Sequence, residues 1–598
     1  MAWVGAANAA PTPLVTGNGF GFAVFSISSG TLTKLYAHPY SFERPDPKAP
    51  LAEGAETPNF IRSLSWTRAS TGTAGGDYVD QSHVISAGNA FYFMPFGLHR
   101  NALIALNRDP MARLKIRWAH PVASDQGSNP RVFRFKGITD SVAIVRLSTA
   151  AWAFLPIEPT EDVSRAVDEL RRWRGGLSPQ DLVARELQDL EAWRAKPEPR
   201  FRSDDERRLW RQSEAILRMA QIRETNRAGR VNHGLIVACL PDGSWFMTWA
   251  RDMAFATEAL IRMGHRQEAR WAIEAYFNAR PVGKMREAVR GREYQISVAR
   301  YFGDGSEEPF FTQEGSTNIE LDDWGLALKT LGDYVEHFGD ESLLSAPTYR
   351  GSIYGSAKAF VAEALIANLE PFKGGLIVSA DTSIWEERQK DKKHFAFSTA
   401  AAIAGLRAMK SLAHRMGDGA FEAELGENLE KLVRGFAQAF AANGRVRGAL
   451  EPGIKNDVDG AALIALNLID SRDRALIQGT VDKMPALKTA SGGYRRVTCI
   501  LKDPKIFEYH YERQEFLFVN FHLAEAYLRL GKPAQADAIV DRMVQKAAGD
   551  HFMIPEMYVS VVNPLFKGDI GAPTGVIPIV GYGAGAYIYY LLERDREL

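Results

Sequence analysis

The chain has 598 residues, 46% of them hydrophobic and 24% charged, which is ordinary for a globular protein and excludes disorder, collagen and coiled coil as its main structure. Lys and Arg number 72 and Asp and Glu number 72, so the formal net charge is zero. A protein that binds nucleic acid needs a basic excess to displace counterions, so this balance predicts no nucleic-acid partner. Length alone predicts about three to five domains.

Cysteines and apolar runs give further exclusions. Cys239 and Cys499 stand far apart without metal-type spacing, so each is predicted to be a buried free thiol. No run of about 18 apolar residues occurs, so no membrane-spanning helix is predicted. Ala7-Asn8-Ala9 resembles the end of a signal-peptide cleavage site, although the basic start and apolar middle are missing. We therefore predict export to the periplasm or the medium, with the cytoplasm as the alternative.

Residues 1–158 have the pattern of antiparallel β-structure. Short runs of branched and aromatic residues alternate with polar ones and are separated by Gly, Pro, Asn and Asp, which is typical of a β-sandwich. The predicted strands are Gly19–Ser28, Ala90–Phe96, Asn101–Leu106, Leu114–His120, Arg131–Gly137 and Ser141–Ser148. The sequence therefore predicts an N-terminal antiparallel β-sandwich domain over 1–158.

After this domain the hydrophobic period changes to that of helices. Helices are predicted over Glu161–Arg174 and Gln180–Ala195, so 159–202 is interpreted as a helical linker. About twelve more amphipathic helices follow, separated by loops of very different length. No short repeat is visible, which argues against a regular solenoid. Residues 203–598 are therefore predicted to form one all-α toroid of paired helices.

Tryptophan and carboxylates occur together in loop-like segments of the helical region. Aromatic rings stack on the C–H faces of sugars, while carboxylates and guanidinium groups bind paired hydroxyls. Glycoside hydrolysis also needs one carboxylic acid and one carboxylate. The segments are Asp242–Phe255, Asn318–Gly325, Ser379–Gln389 and Met553–Ser560. The sequence therefore predicts a carbohydrate site built from these loops.

Each segment also has a purely structural interpretation. Trp324 begins an apolar stripe that continues at Leu328 and Leu331, so a place in the core explains it equally well. Arg251 and Asp252 fit a structural ion pair at a helix start, where an acidic residue is favoured. The occurrence of several such segments in one helical toroid, rather than any one of them, favours the functional interpretation.

In chain order, these segments resemble the signature of the glucoamylase family, glycoside hydrolase family 15. WARDMAF (Trp249–Phe255) resembles its W-x-R-D-x-x-F motif, and ELDDWG (Glu320–Gly325) its Q-x-D-x-x-G motif. WEE (Trp385–Glu387) and PEM (Pro555–Met557) resemble its W-E-E and P-E-Q motifs. Bacterial members carry an N-terminal β-sandwich, a helical linker and an (α/α)6 barrel. The resemblance therefore covers essentially the whole chain and implies an (α/α)6 barrel catalytic domain over 203–598.

The resemblance implies an inverting, exo-acting hydrolase of α-glucosidic bonds in oligosaccharides or polysaccharides. By position, Glu386 corresponds to the general acid and Glu556 to the general base. Their carboxyl groups are predicted to lie about 6.5–9.5 Å apart, which leaves room for water. The other implied substrate-binding residues are Arg251, Asp252, Glu387, Arg495 and the pocket-wall tryptophans Trp249, Trp324 and Trp385.

Several positions depart from the family pattern and leave the sugar and the linkage open. Glu320 stands where the family has Gln, and Met557 replaces the Gln of P-E-Q. The segment Phe507–Phe516 carries His510, Glu512, Arg513 and Glu515, interpreted as surface charges or as groups that read an unusual sugar. The candidate substrates are α-1,6-glucans, trehalose and a bacterial exopolysaccharide.

Two alternatives come from other classes. A polysaccharide lyase on the same toroid would use a Tyr or His base with Arg, and Tyr511, His510 and Arg513 are the candidates. A non-catalytic glycan-binding protein is the second alternative. No cofactor or metal is predicted, and the sequence gives no position for a structural calcium ion. The oligomeric state is left open.

Overall fold

The N-terminal part of the chain forms two stacked antiparallel sheets. The computed structural model describes residues 12–42, 57–67, 75–241, 246–281, 283, 285–308, 317–386, 392–451, 455–499, 502–505 and 507–597. One sheet has five strands in the order β1-β2-β3-β4-β9 and the other has eight in the order β10-β11-β12-β13-β8-β7-β6-β5. The strands are β1 Leu14–Gly17, β2 Phe22–Ser26, β3 Thr31–Leu35, β4 Ile61–Trp66, β5 Asp77–Tyr78, β6 Ile85–Ala87, β7 Ala90–Phe93, β8 Leu103–Asn107, β9 Leu114–Trp118, β10 Val122–Gln126, β11 Arg131–Phe135, β12 Ser141–Ser148 and β13 Ala151–Ile157. The predicted β-sandwich is confirmed.

Two helices follow the sandwich, α1 (Val163–Arg174) and α2 (Pro179–Trp193). Asp162 caps α1, and Ser178 forms a capping box with Asp181 at the start of α2. Both helices are amphipathic, and their apolar faces share one core cluster with strands of the eight-stranded sheet. The linker is therefore packed against the sandwich rather than spanning a gap.

The remaining helices form a closed double ring. The inner helices α4, α6, α9, α11, α14 and α16 pack on one another in that order, and α16 packs back on α4. Helices such as α3, α5, α10 and α15 pack outside them, so the predicted (α/α)6 barrel is confirmed. The helices are α3 Asp204–Ala220, α4 Ala250–Arg262, α5 Arg266–Asn278, α6 Asp322–Phe338, α7 Ile353–Ala357, α8 Glu363–Ala367, α9 Ala396–Arg415, α10 Gly419–Phe440, α11 Ala461–Leu468, α12 Arg474–Val481, α13 Phe507–Tyr511, α14 Leu517–Arg529, α15 Pro533–Ala548 and α16 Ala586–Glu597.

Short strands lie in the connections between the barrel helices. They form two-stranded pairs and one three-stranded sheet. The strands are β14 Thr248–Trp249, β15 Arg300–Tyr301, β16 Pro347–Thr348, β17 Gly351–Ser352, β18 Leu369–Phe372, β19 Gly375–Val378, β20 Lys455–Asp459, β21 Val497–Cys499, β22 Glu515–Phe516, β23 Met557–Tyr558 and β24 Pro573–Thr574. Several of them directly precede an inner helix, so they fix the loops at one mouth of the barrel.

The sandwich supports two of these loops. Phe246 lies with its ring centroid 5.4 Å from that of Tyr36, and the Tyr78 hydroxyl contacts the sulfur of Met553 at 3.8 Å. The Tyr40 hydroxyl donates to Glu224 at 2.6 Å. These contacts brace the segments that lead into β14 and β23, so the two domains share one core.

The ends of the barrel are tied together by α16. Arg594 donates to both carboxylate oxygens of Glu206 in α3, at 2.6 and 3.0 Å. The Tyr587 hydroxyl donates to the Glu206 carbonyl at 2.9 Å. Within the part of the chain that the structure describes, none of the helices combines the length and the hydropathy needed to span a bilayer.

Candidate active site

Arg251 and Asp252 lie in the first turn of α4, at the mouth of the barrel. Nη1 of Arg251 is 2.8 Å from Glu320 and 3.5 Å from Asp322, while its Nε donates to the Tyr582 hydroxyl. Arg251 is buried, with 2% of its surface exposed. The start of α4, the start of α6 and the turn before α16 therefore meet around one guanidinium group.

A set of buried carboxyl groups surrounds this arginine. Burial raises the pKa of Asp252 to about 7 and the pKa of Asp381 to about 8. Burial also raises the pKa of Glu320 and Asp323 well above the ordinary range, although the Arg251 charge opposes the shift. The first turns of the inner helices present positive backbone dipoles here, which favours acidic residues at this end of the barrel.

Glu386 lies on the loop between β19 and α9. Its Oε1 accepts a hydrogen bond from the Trp249 indole N–H at 2.5 Å. Its φ of 47° lies in the left-handed region, which is uncommon for non-glycine residues. The two arms of the loop pair through the backbones of Asp381 and Lys393, at 2.9 and 3.1 Å. The Trp249 hydrogen bond therefore orients the carboxyl group, and the backbone pair between Asp381 and Lys393 ties the described ends of the loop together.

His394 anchors the base of this loop between two carboxylates. Nδ1 contacts Glu451 at 2.5 Å, and Nε2 contacts Glu370. Only the doubly protonated imidazolium can donate to both, and these hydrogen bonds raise the pKa of His394 above its ordinary value. The Glu370 carboxylate also pairs with Arg290 at 3.0 Å.

Replacing His394 with Gln is expected to lower the melting temperature at pH 6 by about 2 °C, and by much less at pH 9. A raised histidine pKa contributes stability that is complete below the unfolded pKa and is lost as pH rises through the folded pKa. Differential scanning calorimetry of His394→Gln and wild type at both pH values measures the effect. His414→Gln is the matched control, because His414 is exposed and its ion pair with Glu422 is worth little. Equal destabilisation at both pH values would contradict the expectation.

Glu556 follows a proline and directly precedes β23, far from Glu386 in the sequence. Its Oε1 accepts from the Tyr511 hydroxyl, and its Oε2 accepts from the Val576 backbone N–H at 3.3 Å. Burial raises the pKa of Glu556 to about 7. The negative charges of Glu386 and Glu556 both raise the pKa of Asp252. The two glutamates, far apart in sequence, therefore face one site beside Asp252.

Two of the predicted tryptophans donate to carboxylates and the third donates to the backbone. Trp249 donates to Glu386, and the Trp385 indole N–H donates to Asp459 at 2.9 Å. Trp324 is fully buried, and its indole N–H donates to the Ile296 carbonyl at 2.8 Å. The structure thus places the Trp324 ring in the core of the barrel, and its role as a pocket wall stays a prediction.

Two neighbouring arginines of the later loop have different partners. Arg495, the residue predicted to bind substrate, donates to the Ala486 carbonyl at 3.0 Å, and its substrate-binding role stays a prediction. Arg496 instead pairs with both oxygens of Glu512, at 2.8 and 2.6 Å, and its charge acts on Glu556. Glu387, the remaining predicted ligand, lies outside the described residues.

The sequence did not identify Tyr511 as the hydrogen-bond partner of Glu556 or Glu512 as the partner of Arg496. The signal was present in Phe507–Phe516, where charged and aromatic residues are concentrated. The Nε2–H of His510 donates to the Pro504 carbonyl at 2.8 Å on the exposed side, and the Arg513 guanidinium stacks on the Tyr509 ring at 3.8 Å. Glu512 is buried instead, so the segment is divided between a face directed at the site and a face directed at solvent.

One further polar cluster lies between the sandwich and the barrel. The ligand atoms of His38, Glu158 and Glu224 lie within 4.8 Å of one another, a spacing that could suit a metal ion. Glu158 already pairs with Arg227 and Arg230, each at 2.6 Å. Because these two cations neutralise the cluster, we interpret it as an ion-paired contact between the sandwich and the barrel.

Comparisons with known proteins match both the barrel and the whole fold. Residues 212–445 match the model of glycosyl hydrolases family 15, a range that includes Arg251, Asp252 and Glu386. A bacterial glucoamylase complexed with acarbose superposes with a TM-score of 0.62 at 13% identity, covering 100% of this chain and 95% of that chain. A comparison with curated protein sequences finds no match.

Two other solved structures align less well. A glycosidase variant in complex with glucose has a TM-score of 0.48 at 17% identity, covering 66% of this chain and 98% of that chain. The glucoamylase of Hormoconis resinae has a TM-score of 0.42 at 14% identity, covering 61% and 69%. The fold assignment therefore rests on the bacterial glucoamylase, which aligns over both domains.

Proposed function

Because residues 212–445 match the model of glycosyl hydrolases family 15 and the fold matches that of a bacterial glucoamylase, we propose that this chain is an inverting, exo-acting glycoside hydrolase of that family. It would release a sugar from the non-reducing end of α-linked glucosides or a related glycan. In this proposal Glu386 is the general acid and Glu556 is the general base. The observation that supports it most is that Glu386 and Glu556, which are distant in the sequence, both lie close enough to Asp252 for their charges to raise its pKa.

The surroundings of the two glutamates suit different roles. The general acid protonates the glycosidic oxygen as the bond breaks, and the general base removes a proton from the attacking water. Glu556 accepts two hydrogen bonds, from Tyr511 and Val576, which favour its ionised form against the effect of burial. Glu386 accepts one hydrogen bond, from the Trp249 indole N–H. This bond orients the carboxyl group, and the indole does not take up the carboxyl proton.

The buried pair Arg251 and Asp252 would bind the terminal sugar. Charged side chains that are already desolvated form strong hydrogen bonds to hydroxyl groups. Behind them, the Glu320 carboxylate and the Tyr582 hydroxyl hold the Arg251 guanidinium in place. Exo action is the part of the proposal that follows from the similarity to glycosyl hydrolases family 15.

The residues considered for a lyase do not form a lyase site. Tyr511 donates its proton to Glu556, and its pKa is raised well above the ordinary value, so it is a poor general base. His510 and Arg513 lie on the other side of the segment from Glu556. Hydrolysis with two carboxyl groups therefore remains the better proposal, and binding without catalysis is an outcome of the test.

The test is a panel of substrates followed by NMR. Maltose, isomaltose, trehalose, dextran and bacterial polysaccharides are incubated with the protein, and the anomer released is recorded before mutarotation. Release of the β-anomer from an α-linked substrate is expected. The α-anomer would indicate retention, an ultraviolet-absorbing product would indicate a lyase, and binding without turnover would indicate a glycan-binding protein.

Gly575 approaches Glu556 so closely that no side chain fits. A Cβ atom there would lie 2.4 Å from Oε2 of Glu556, and the residue has a φ of +80°. Gly575→Ala is expected to displace the base and lower kcat by about 100-fold. Gly571→Ala is the matched control, because its φ is +89° but its nearest contact is the flexible Lys546 amine at 3.0 Å. Steady-state kinetics of both variants measure the difference, and equal losses would contradict the expectation.

A further inference from the structure

Arg496 lies in a cage of three aromatic rings beside the proposed catalytic residues. Its guanidinium carbon is 4.6 Å from the ring centroid of Tyr511 and 5.3 Å from those of Trp385 and Phe516. Glu512 closes the cage with a two-pronged ion pair at 2.8 and 2.6 Å. A planar guanidinium satisfies both the ring faces and the carboxylate at once, which an ammonium group cannot do.

The cage connects the two glutamates. Tyr511 hydrogen-bonds to Glu556, whereas Trp385 is the residue directly before Glu386. Tyr511 and Glu556 are both buried, and the Tyr511 ring packs against Phe566 at 6.1 Å. Because Tyr511 is the last residue of α13 and Glu512 follows it directly, one short segment contacts both the base and the arginine.

The charged groups that face Glu556 act with opposite signs. The hydrogen bond from Tyr511 and the charge of Arg496 lower the pKa of Glu556, whereas the charge of Glu512 raises it. Asp252 is the remaining charged neighbour, on α4. All of these groups lie in a water-poor site, where charge interactions are stronger than at the surface.

We propose that Tyr511, Arg496 and Glu512 are positioning residues, which hold Glu556 in one orientation and set the pH at which it becomes ionised. Tyr511 aims the carboxylate by its hydrogen bond. Arg496 supplies the stabilising charge, and Glu512 holds Arg496 in the cage and limits the effect of that charge. This inference rests on the proposed function, because it takes Glu556 to be the base.

The experiment compares the pH dependence of kcat/KM for Tyr511→Phe, Arg496→Gln and Glu512→Gln. The acidic limb reports the base, since activity is lost once Glu556 is protonated. Tyr511→Phe and Arg496→Gln are expected to move this limb to higher pH by about 1 unit, and Glu512→Gln to lower pH. At a pH below the limb the first two variants lose about tenfold in rate and recover at high pH.

Tyr509→Phe is the matched control, since Tyr509 lies two residues away and stacks under Arg513 rather than on Arg496. Its acidic limb is expected to stay in place. The proposal is overturned if the three limbs do not move, or if all move in one direction, as a merely structural effect would give. A second measurement does not require turnover. The ¹³C carboxyl resonance of Glu556 is assigned by its loss in Glu556→Gln. Its titration midpoint is expected to shift in each variant in the same direction as the acidic limb.

These outcomes separate the two proposals. Wild-type protein that hydrolyses no α-linked glycan overturns the proposed function, while the carboxyl titration still decides the positioning of Glu556. Wild-type hydrolysis with unmoved limbs in all three variants overturns the positioning role and leaves the proposed function intact.

Discussion

Glu386→Gln and Glu556→Gln are each expected to lower kcat by about 10²–10⁴-fold on the best substrate, without loss of the fold. Glutamine keeps the shape of the side chain but has no proton to donate as an acid and no negative charge with which to accept one. The Trp249 and Tyr511 hydrogen bonds both have an acceptor oxygen left in the amide, so the site geometry is expected to persist.

A substrate with a good leaving group separates the two roles. Glucosyl fluoride needs little protonation, so Glu386→Gln is expected to regain much of its activity on it and Glu556→Gln is not. Glu336→Gln is the control, because Glu336 is exposed on the later part of α6, away from the mouth. Steady-state kinetics and circular dichroism of the three variants provide the measurement. Full activity of either site variant on the natural linkage would remove the role assigned to that residue.

Arg251→Met is expected to destabilise the protein by about 3–5 kcal/mol, because it leaves buried carboxylates without their cation. Glu320, Asp322, Asp323 and Asp252 all have the Arg251 charge among the effects that lower their pKa values. With a raised folded pKa, each carboxyl binds more protons in the folded state, so the penalty grows as pH rises. The loss is therefore expected to be larger at pH 8 than at pH 5.

Chemical denaturation at the two pH values measures this loss. The double variant Arg251→Met/Glu320→Met is expected to recover part of it, since it removes the closest unpaired carboxylate together with the arginine. Glu320→Gln alone is expected to change stability little, because the amide still accepts from Arg251. A loss that is independent of pH and unchanged in the double variant would show that side-chain packing, rather than charge, gives Arg251 its structural role.

The sandwich and the helical region could be predicted from the sequence because their hydrophobic residues recur with different periods. Alternation at every second residue separates the sandwich from the helical region, where apolar residues recur every three or four positions. Very short strands such as β5 and β6 carry too few residues for a period, so they were missed. The closed ring required the family resemblance, because periodicity does not say which helices pack together.

Side-chain direction at the site could not be predicted from the sequence. Trp324 belongs to the apolar stripe of α6 with Leu328 and Leu331, so the helical period favoured the core over the pocket. Neighbouring residues of an extended segment point to opposite sides, so Arg495 and Arg496 could not be distinguished from their letters alone. The sequence favoured a surface position for Glu512, because burying a carboxylate is costly unless it is paired. Its partner, Arg496, could not be identified from the sequence.

The ion pair between Arg594 and Glu206 implies a particular order of events during synthesis. It joins positions 388 residues apart, and α16 packs against α4 to complete the ring. Contacts so distant in the chain form slowly, because a long loop must close before they contribute any stability. Most of the barrel leaves the ribosome before α16 is made. The apolar faces of the inner helices are exposed during that time, which favours aggregation or chaperone binding. The nascent chain is therefore expected to lack the closed ring of inner helices until α16 has been made.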